Sequence, residues 1–376
     1  MIKIGFDAKR LYNNFTGLGN YSRTLVKNLG EFFPEDDYYL YTPQIRTDPL
    51  TDVFLKNRDY HTVCYSGLFK SLWRSWGIRK NLHRNRIDVY HGLSHEIPLH
   101  LQKSGIRTVV TIHDLIYRTY PEMFTAIDRT IYDRKFRYAC QHADKIIAIS
   151  ESTKRDIIRY FGTPEEKIEV IYQAIQPTFQ HLQSRESSQA VVRRHQLPPD
   201  YLLYVGAINS RKNLLGIVKA LHQLPADLQI PLVIVGNGRQ YKEEVIRYAR
   251  QNRLLDKLIF IANLHDPQEL QAFYQEARIF IYPSFYEGFG LPVTEALLSK
   301  VPVITSNVSS LPEAGGPASC YVDPTQPEEM ATAIASLLTN EERRQEMIEK
   351  GFIFAQEQFN ARRLTEQVHR LYHRLA

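Results

Sequence analysis

Cysteine, methionine and tryptophan are scarce in this 376-residue chain, with three, four and two copies respectively. The cysteines, Cys64, Cys140 and Cys320, are odd in number, far apart and without a CxxC pair. That pattern excludes a disulfide framework and a cysteine-based structural zinc site, and it points to the reducing cytosol. No stretch reaches the ~18 apolar residues that cross a bilayer. The opening MIKIGFDAKR also lacks the apolar run and small-residue cleavage site of a secretory signal. A protein that is soluble, or that rests on a membrane surface, is expected. There is no internal repeat and no low-complexity tract. With 43% hydrophobic and 23% charged residues, a mainly disordered or fibrous chain is excluded, and the length predicts two domains.

Aromatics and a local excess of positive charge are what the chain does have. Tyrosine occurs 23 times and phenylalanine 18 times. The net charge is 47 − 41 = +6, too modest for a nucleic-acid binder. All of it lies in residues 1–180, with 26 basic and 20 acidic side chains, whereas the remainder has 21 of each. The densest part is FKSLWRSWGIRKNLHRNR, Phe69 to Arg86, with Lys70, Arg74, Arg79, Lys80, Arg84 and Arg86, both tryptophans and no carboxylate. Two readings follow: an interfacial segment that meets an anionic lipid surface, or an ordinary helix with Trp73 and Trp76 in the core.

Apolar, β-branched runs alternate with helical stretches, the signature of parallel sheets built from βαβ units. The first series is IKIGF, YYLY, DVYHG, TVVTIHD, KIIAIS and EVIY, ending at Tyr172, and Ser150 is placed as the N-cap of ESTKRDIIRYF. A polar stretch from Gln176 to Asp200 with three prolines reads as a linker. The second series is YLLYVG, PLVIVG, LIFIAN, IFIYPS, VPVIT and ASCYVD. The expected class is α/β, with two doubly wound domains at 1–180 and 195–355. From Pro327 the tail reads as helix, with breaks near Gly351 and at Phe359–Asn360. In the last helix Leu364, Val368, Leu371, Tyr372 and Leu375 form a stripe that must be buried.

Four places carry chemistry. Gly17 and Gly19 precede a helix expected to begin near Asn20, where backbone can approach an anion. The dinucleotide fingerprint fails there, because Ser22 stands at the third glycine position and ten residues separate Phe6 from Gly17. His113-Asp114 ends the strand TVVTI, where a parallel sheet opens on its ligand crevice; His91 and His95 line the same crevice or form its wall. Arg211-Lys212 lies between a strand and a helix, a diphosphate site in outline. The strongest signal is YEGFGLPVTEAL, with Glu287 and Glu295 eight residues apart. Backbone amides of Phe289, Gly290 and Leu291 can grip a sugar or phosphate, and Glu295 can accept from a ribose. No Asp-x-Asp pair or histidine cluster accompanies Glu287, so no metal is expected there.

On these residues the whole chain resembles the retaining glycosyltransferases of family four in the carbohydrate-active classification, which have the GT-B fold of two facing Rossmann-like domains. The match rests on Glu287 to Glu295, the family's Glu-x-seven-Glu motif, and on the FDA…TGLGNY opening with TIHDLIY. The resemblance implies an N-terminal acceptor domain, completed by a C-terminal helix at 360–376, and a C-terminal domain for the nucleotide sugar. It also implies a role for each motif. Gly17 and Gly19 would close on the diphosphate, Arg211 and Lys212 would clamp it, and His113 would stand near the transferred sugar. Glu287 would hold a sugar hydroxyl, and Glu295 the ribose. Two departures are visible: Ala207 where many relatives have arginine, and Ala262-Asn263 where glycine is usual near the base. Within the family the chain looks like bacterial enzymes that add mannose from GDP-mannose to O-antigen or exopolysaccharide. That implies a glycan or lipid-linked glycan acceptor at the inner face of the cytoplasmic membrane, and no metal or other cofactor. A nucleotide-sugar epimerase or hydrolase of the same fold, and a non-catalytic glycan-binding protein, are the alternatives.

Overall fold

The computed structural model describes residues 1–264 and 266–376. They form two compact units, one of Met1–Ala174 with Asn360–Ala376, the other of Ile175–Phe359. The first is built on seven strands, β1 (Lys3–Asp7), β2 (Asp37–Thr42), β3 (Tyr60–Cys64), β4 (Val89–Gly92), β5 (Arg107–Ile112), β6 (Lys145–Ala148) and β7 (Ile168–Val170), in the order β3-β2-β1-β4-β5-β6-β7. The second has six, β8 (Leu202–Val205), β9 (Leu232–Val235), β10 (Leu258–Ile261), β11 (Ile279–Tyr282), β12 (Val303–Ser306) and β13 (Cys320–Val322), in the order β10-β9-β8-β11-β12-β13. Pairing is parallel in both; Phe6, for example, sits opposite Leu40 on one side and His91 on the other. Each order reverses beside its first strand, at β1/β4 and at β8/β11, and loops diverge there to leave a crevice at the carboxyl ends.

Strands in such sheets are covered on both faces, so they read as continuous apolar runs. Val109, Val110, Ile112, Ile146, Ile147 and Ala148 are all fully buried. In the second unit Leu202, Ile234, Ile279 and Ile281 pack with Ile217, Leu221, Met330 and Ile334. The abundant tyrosines belong to these cores, where each buried hydroxyl needs a partner. Tyr38 donates to the Phe33 carbonyl at 2.7 Å and Tyr201 to that of Phe273 at 2.7 Å.

Several expectations are corrected. β3 was not foreseen: YHTVC is a half-exposed edge strand with a polar residue at its second position. The stretch 176–200 holds a helix, Arg185–Arg194, tied to the second unit by His195 on Glu269 at 3.2 Å, and the division falls at Ala174/Ile175. Gly351 lies inside the helix Glu341–Gln358 and breaks nothing; a Cβ there would come within 2.8 Å of Leu297, so the glycine serves packing. The tryptophans divide between the two readings. Trp73 is buried, stacked on Tyr65 at 5.0 Å, whereas Trp76 is 52% exposed. Arg74 is no surface cation either, because its guanidinium bonds Asp7 at 2.9 Å and Glu96 at 3.0 Å.

The C-terminal helix, Ala361–Leu375, packs within the first unit, with Leu364, Val368, Leu371 and Tyr372 buried. Its Tyr372 hydroxyl meets His91 Nδ1 at 2.6 Å, and His91 Nε2 meets Thr111 Oγ1 at 2.8 Å. Tyr21 reaches the same Thr111 hydroxyl at 2.9 Å.

Candidate active site

In the first unit the loops after β1, β4 and β5 carry the expected residues. The helix after β1 starts at Gly17, three residues earlier than expected, so both glycines lie in its first turn. Asn14 Oδ1 organises this turn, accepting from the N–H of Thr16 at 2.9 Å and of Gly19 at 3.1 Å. Gly19 is buried, and a Cβ there would lie 1.7 Å from the Asn14 carbonyl oxygen. Gly17 is exposed with nothing within 4 Å of its Cβ position. Gly19 is thus required by the backbone, whereas Gly17 leaves open space at a helix N-terminus.

His113 follows β5 and is buried. Nε2 lies 2.9 Å from the Leu93 carbonyl, which can only accept, so the proton sits on Nε2. Nδ1 is left as the acceptor, 3.5 Å from the Gln173 amide. Burial lowers its pKa to about 4, against the Leu93 hydrogen bond that works to raise it, so the ring is neutral near pH 7. The Tyr21 ring meets it edge-on at 4.7 Å. His95 stacks on Phe136 at 4.2 Å and His91 bridges Thr111 to Tyr372, so these two form wall.

In the second unit the loops after β8 and β11 come together. Asn209 caps the turn Ser210–Lys212, accepting from the Lys212 N–H at 3.2 Å. The Phe285 N–H donates to the Arg211 carbonyl at 2.8 Å, tying one loop to the other. Three donors then converge on Glu287 Oε1, Lys212 Nζ at 2.8 Å, the Tyr282 hydroxyl at 3.0 Å and the Ser284 hydroxyl at 2.6 Å, and the Arg211 guanidinium pairs with the same oxygen at 2.8 Å. Burial alone pushes this carboxyl up, but Lys212 and Arg211 outweigh it and hold the pKa at about 2. Among the described residues no hydrogen bond is directed at Oε2. Arg211 and Lys212, expected as cations facing a ligand, are therefore already paired, and the cluster keeps one net positive charge. Tyr282 and Ser284 were not singled out from sequence. They stand five and three residues before Glu287 at a strand end, a spacing that carries no signal by itself.

Gly290, at φ +117°, is the N-cap of the helix Leu291–Leu298, and Ser310 Oγ bonds the carbonyls of Glu287 and Phe289 at 2.9 and 2.8 Å. Phe289 itself is buried. The amides of Gly290 and Leu291 make no hydrogen bond among the described residues. Glu295, one turn into this helix, accepts from the Tyr274 hydroxyl at 3.2 Å. Burial raises its pKa to about 7, and the Tyr274 bond only partly offsets this. The two glutamates of one motif thus stand in opposite regimes, the first ionised throughout and the second titrating near neutrality.

Comparison with known proteins agrees with this geometry. Residues 15–179 match the family model described as Glycosyltransferase Family 4, and residues 188–353 match that for Glycosyl transferases group 1. The O-antigen chain mannosyltransferase B of Escherichia coli is 28% identical over 391 residues, covering 99% of each chain. Sucrose-phosphate synthase from Thermosynechococcus elongatus superposes with a TM-score of 0.81 at 21% identity, covering 100% of this chain and 99% of that one. Alr3699/HepE of Anabaena, solved with UDP and glucose, gives 0.75 at 15% identity and 99% coverage of both. With two glycosyltransferase models together accounting for most of both units, the chain is a glycosyltransferase of GT-B fold, similar over residues 15–179 to family four.

Proposed function

We propose that this enzyme transfers mannose from GDP-mannose, with retention of configuration, to a glycan or lipid-linked glycan in cell-surface polysaccharide synthesis. The observation that carries the reading is the Glu287 carboxylate, one oxygen of which is held by three donors and the Arg211 cation while the other is left for a sugar hydroxyl. The choice of mannose rests on the whole-length relative. In this reading the second unit takes the nucleotide sugar and the first the acceptor. Arg211, Lys212 and the backbone amides at Gly290 and Leu291 offset charge on the departing diphosphate, and the turn at Gly17 and Gly19 offers the first unit's own backbone to an anion. His113, neutral, offers hydrogen bonding beside the transferred sugar. The diphosphate, as it leaves, helps take the acceptor's proton on the same face. No metal or other cofactor has a part in this chemistry.

The test is incubation with GDP-mannose and UDP-, ADP- and dTDP-sugars, with and without a lipid-linked glycan, in excess EDTA. Acceptor-dependent transfer from GDP-mannose, with the donor's anomeric configuration kept in the product by NMR, is expected. Release of an isomeric nucleotide sugar without acceptor would establish an epimerase instead. Loss of transfer on chelation, restored by Mg2+ or Mn2+, would refute the metal-free step.

Glu295→Gln should weaken nucleoside-diphosphate binding by roughly tenfold to a hundredfold, the worth of a charge-assisted hydrogen bond. His113→Ala should mainly lower turnover. The same Glu295 variant has a stability signature. Its carboxyl titrates near 7 folded and near 4.5 unfolded, so wild-type stability falls as pH rises through that interval. The variant should therefore out-melt wild type at pH 8 and not at pH 4.5. Unchanged nucleotide affinity by calorimetry would remove the ribose assignment.

Membrane contact belongs to the same proposal. Leu68, Phe69, Leu72 and Trp76 are exposed, and a groove of about 530 Å3 is lined by Trp76, Arg79, Lys80, His83, His100 and Lys103. Apolar anchors beside cations suit an anionic surface, at about 1 kcal/mol per basic residue and screened over about 8 Å. A variant with Trp76→Ser, Arg79→Glu and Lys80→Glu should pellet less with anionic liposomes than wild type, at low salt. Equal pelleting of the two would leave this stretch as ordinary surface.

A further inference from the structure

One side-chain cluster of the first unit stands apart from the residues described so far. Asp36 stands in the turn before β2, its carboxylate fully buried. Oδ2 lies 2.9 Å from His369 Nε2 and 2.8 Å from His373 Nε2, two histidines four residues apart on one face of the C-terminal helix. Their three ligand atoms all fall within 4.8 Å of one another.

We propose that Asp36, His369 and His373 bind one divalent transition-metal ion, with zinc the best match, and that the ion fastens the C-terminal helix onto the first sheet. Zinc takes imidazole nitrogen and carboxylate oxygen at about 2.0–2.2 Å, which sets tetrahedral edges of about 3.3 Å. The contacts at 2.8 and 2.9 Å need only a few tenths of an ångström of outward movement. Oδ2 can only accept, so both Nε2 donate to it here; the ion takes the place of those two protons, and the rings, as Nδ1–H tautomers, then turn both Nε2 lone pairs to it. The groups around the ligands hold them in place. The Ile2 N–H donates to Oδ1 at 2.7 Å, and Phe33 stacks face to face on His369 at 3.8 Å. The Met1 amino group approaches Oδ1, at 3.8 Å, and leaves Oδ2 to the histidines. Glu35, 3.9 Å from His369 Nε2, is within reach as a fourth ligand, and the half-exposed His373 leaves an entry path. The site's only local trace in the sequence is His-x-x-x-His, since the carboxylate lies 333 residues away from His369.

The experiment uses the full chain, stripped with EDTA and dialysed. Zn2+ at a few equivalents should raise the melting temperature by more than about 3 °C, and Co2+ should bind at one per chain with visible d–d bands. His373→Gln should lose both responses. His373→Cys, which restores a zinc ligand, should regain the melting shift, so a folding defect is told apart from a lost ligand. A wild-type melting temperature that Zn2+ does not move would overturn the proposal. So would a shift retained in His373→Gln, which would place the metal on other histidines. These readouts are independent of sugar transfer, so failure here leaves the enzymatic reading untouched.

Discussion

Glu287→Gln should abolish most sugar transfer, lowering turnover by roughly a thousandfold, and should destabilise the second unit by about 3 kcal/mol. The carboxylate meets Lys212 and Arg211 at 2.8 Å with all three side chains largely buried, so an amide there leaves two buried cations facing each other without a counter-charge. The stability term can be separated from the chemistry. Adding Lys212→Met to Glu287→Gln removes one orphaned cation, so the double variant should melt above the single one while remaining inactive. The pH dependence has a defined sign. With its pKa depressed to about 2, Glu287 contributes stability in full above its unfolded value of about 4.5, and that contribution is lost as pH falls toward 2. The melting difference between wild type and Glu287→Gln should shrink over that window. A Glu287→Gln enzyme with wild-type turnover would remove Glu287 from the reaction.

Gly19→Ala should cost about 3 kcal/mol and lower the melting temperature by roughly 6–10 °C. Its Cβ would lie 1.7 Å from the Asn14 oxygen and 3.1 Å from that of Arg10, both main-chain atoms that a rotamer change cannot move. Gly17→Ala is the matched control. It enters open space in a helical first turn, so stability should hold or rise slightly. If the loop closes on the donor's diphosphate, the same methyl should raise the donor KM about tenfold, in keeping with the close approach that glycine allows. Differential scanning fluorimetry and donor titration read the two effects apart. A wild-type KM for Gly17→Ala would show that the diphosphate does not press on this turn.

The α/β class and its two series of strands were legible because parallel strands, buried on both faces, are written as unbroken apolar runs. β3 was hidden by its place at the sheet edge, where only Tyr60 of YHTVC is buried and the unbroken apolar run is lost. The helix Arg185–Arg194 was hidden by polar composition, since only Ser188 and Val192 are buried on its inner side. At the site, local motifs marked Arg211, Lys212 and Glu287 individually. That one carboxylate oxygen gathers both cations, with Tyr282 and Ser284, depends on the β8/β11 junction and is not a sequence property. Nor was it legible that Trp73 and Trp76, three residues apart, differ so much in burial, because a π-helical turn at Trp73–Gly77 shifts the phase expected of a regular helix.

The first unit is discontinuous, being completed by residues 360–376. A ribosome makes the chain in one direction, so the unit that is begun first is finished last, after all of Ile175–Phe359 has been synthesised. Until the final helix emerges, the nascent first half carries an apolar groove where Leu364, Val368 and Leu371 will lie, and His91 lacks its Tyr372 partner. The second unit, continuous in sequence, has no such wait. Folding during translation should thus run against the order of synthesis, with the later-made unit settling first and the earlier one open to chaperones or to aggregation in the interval.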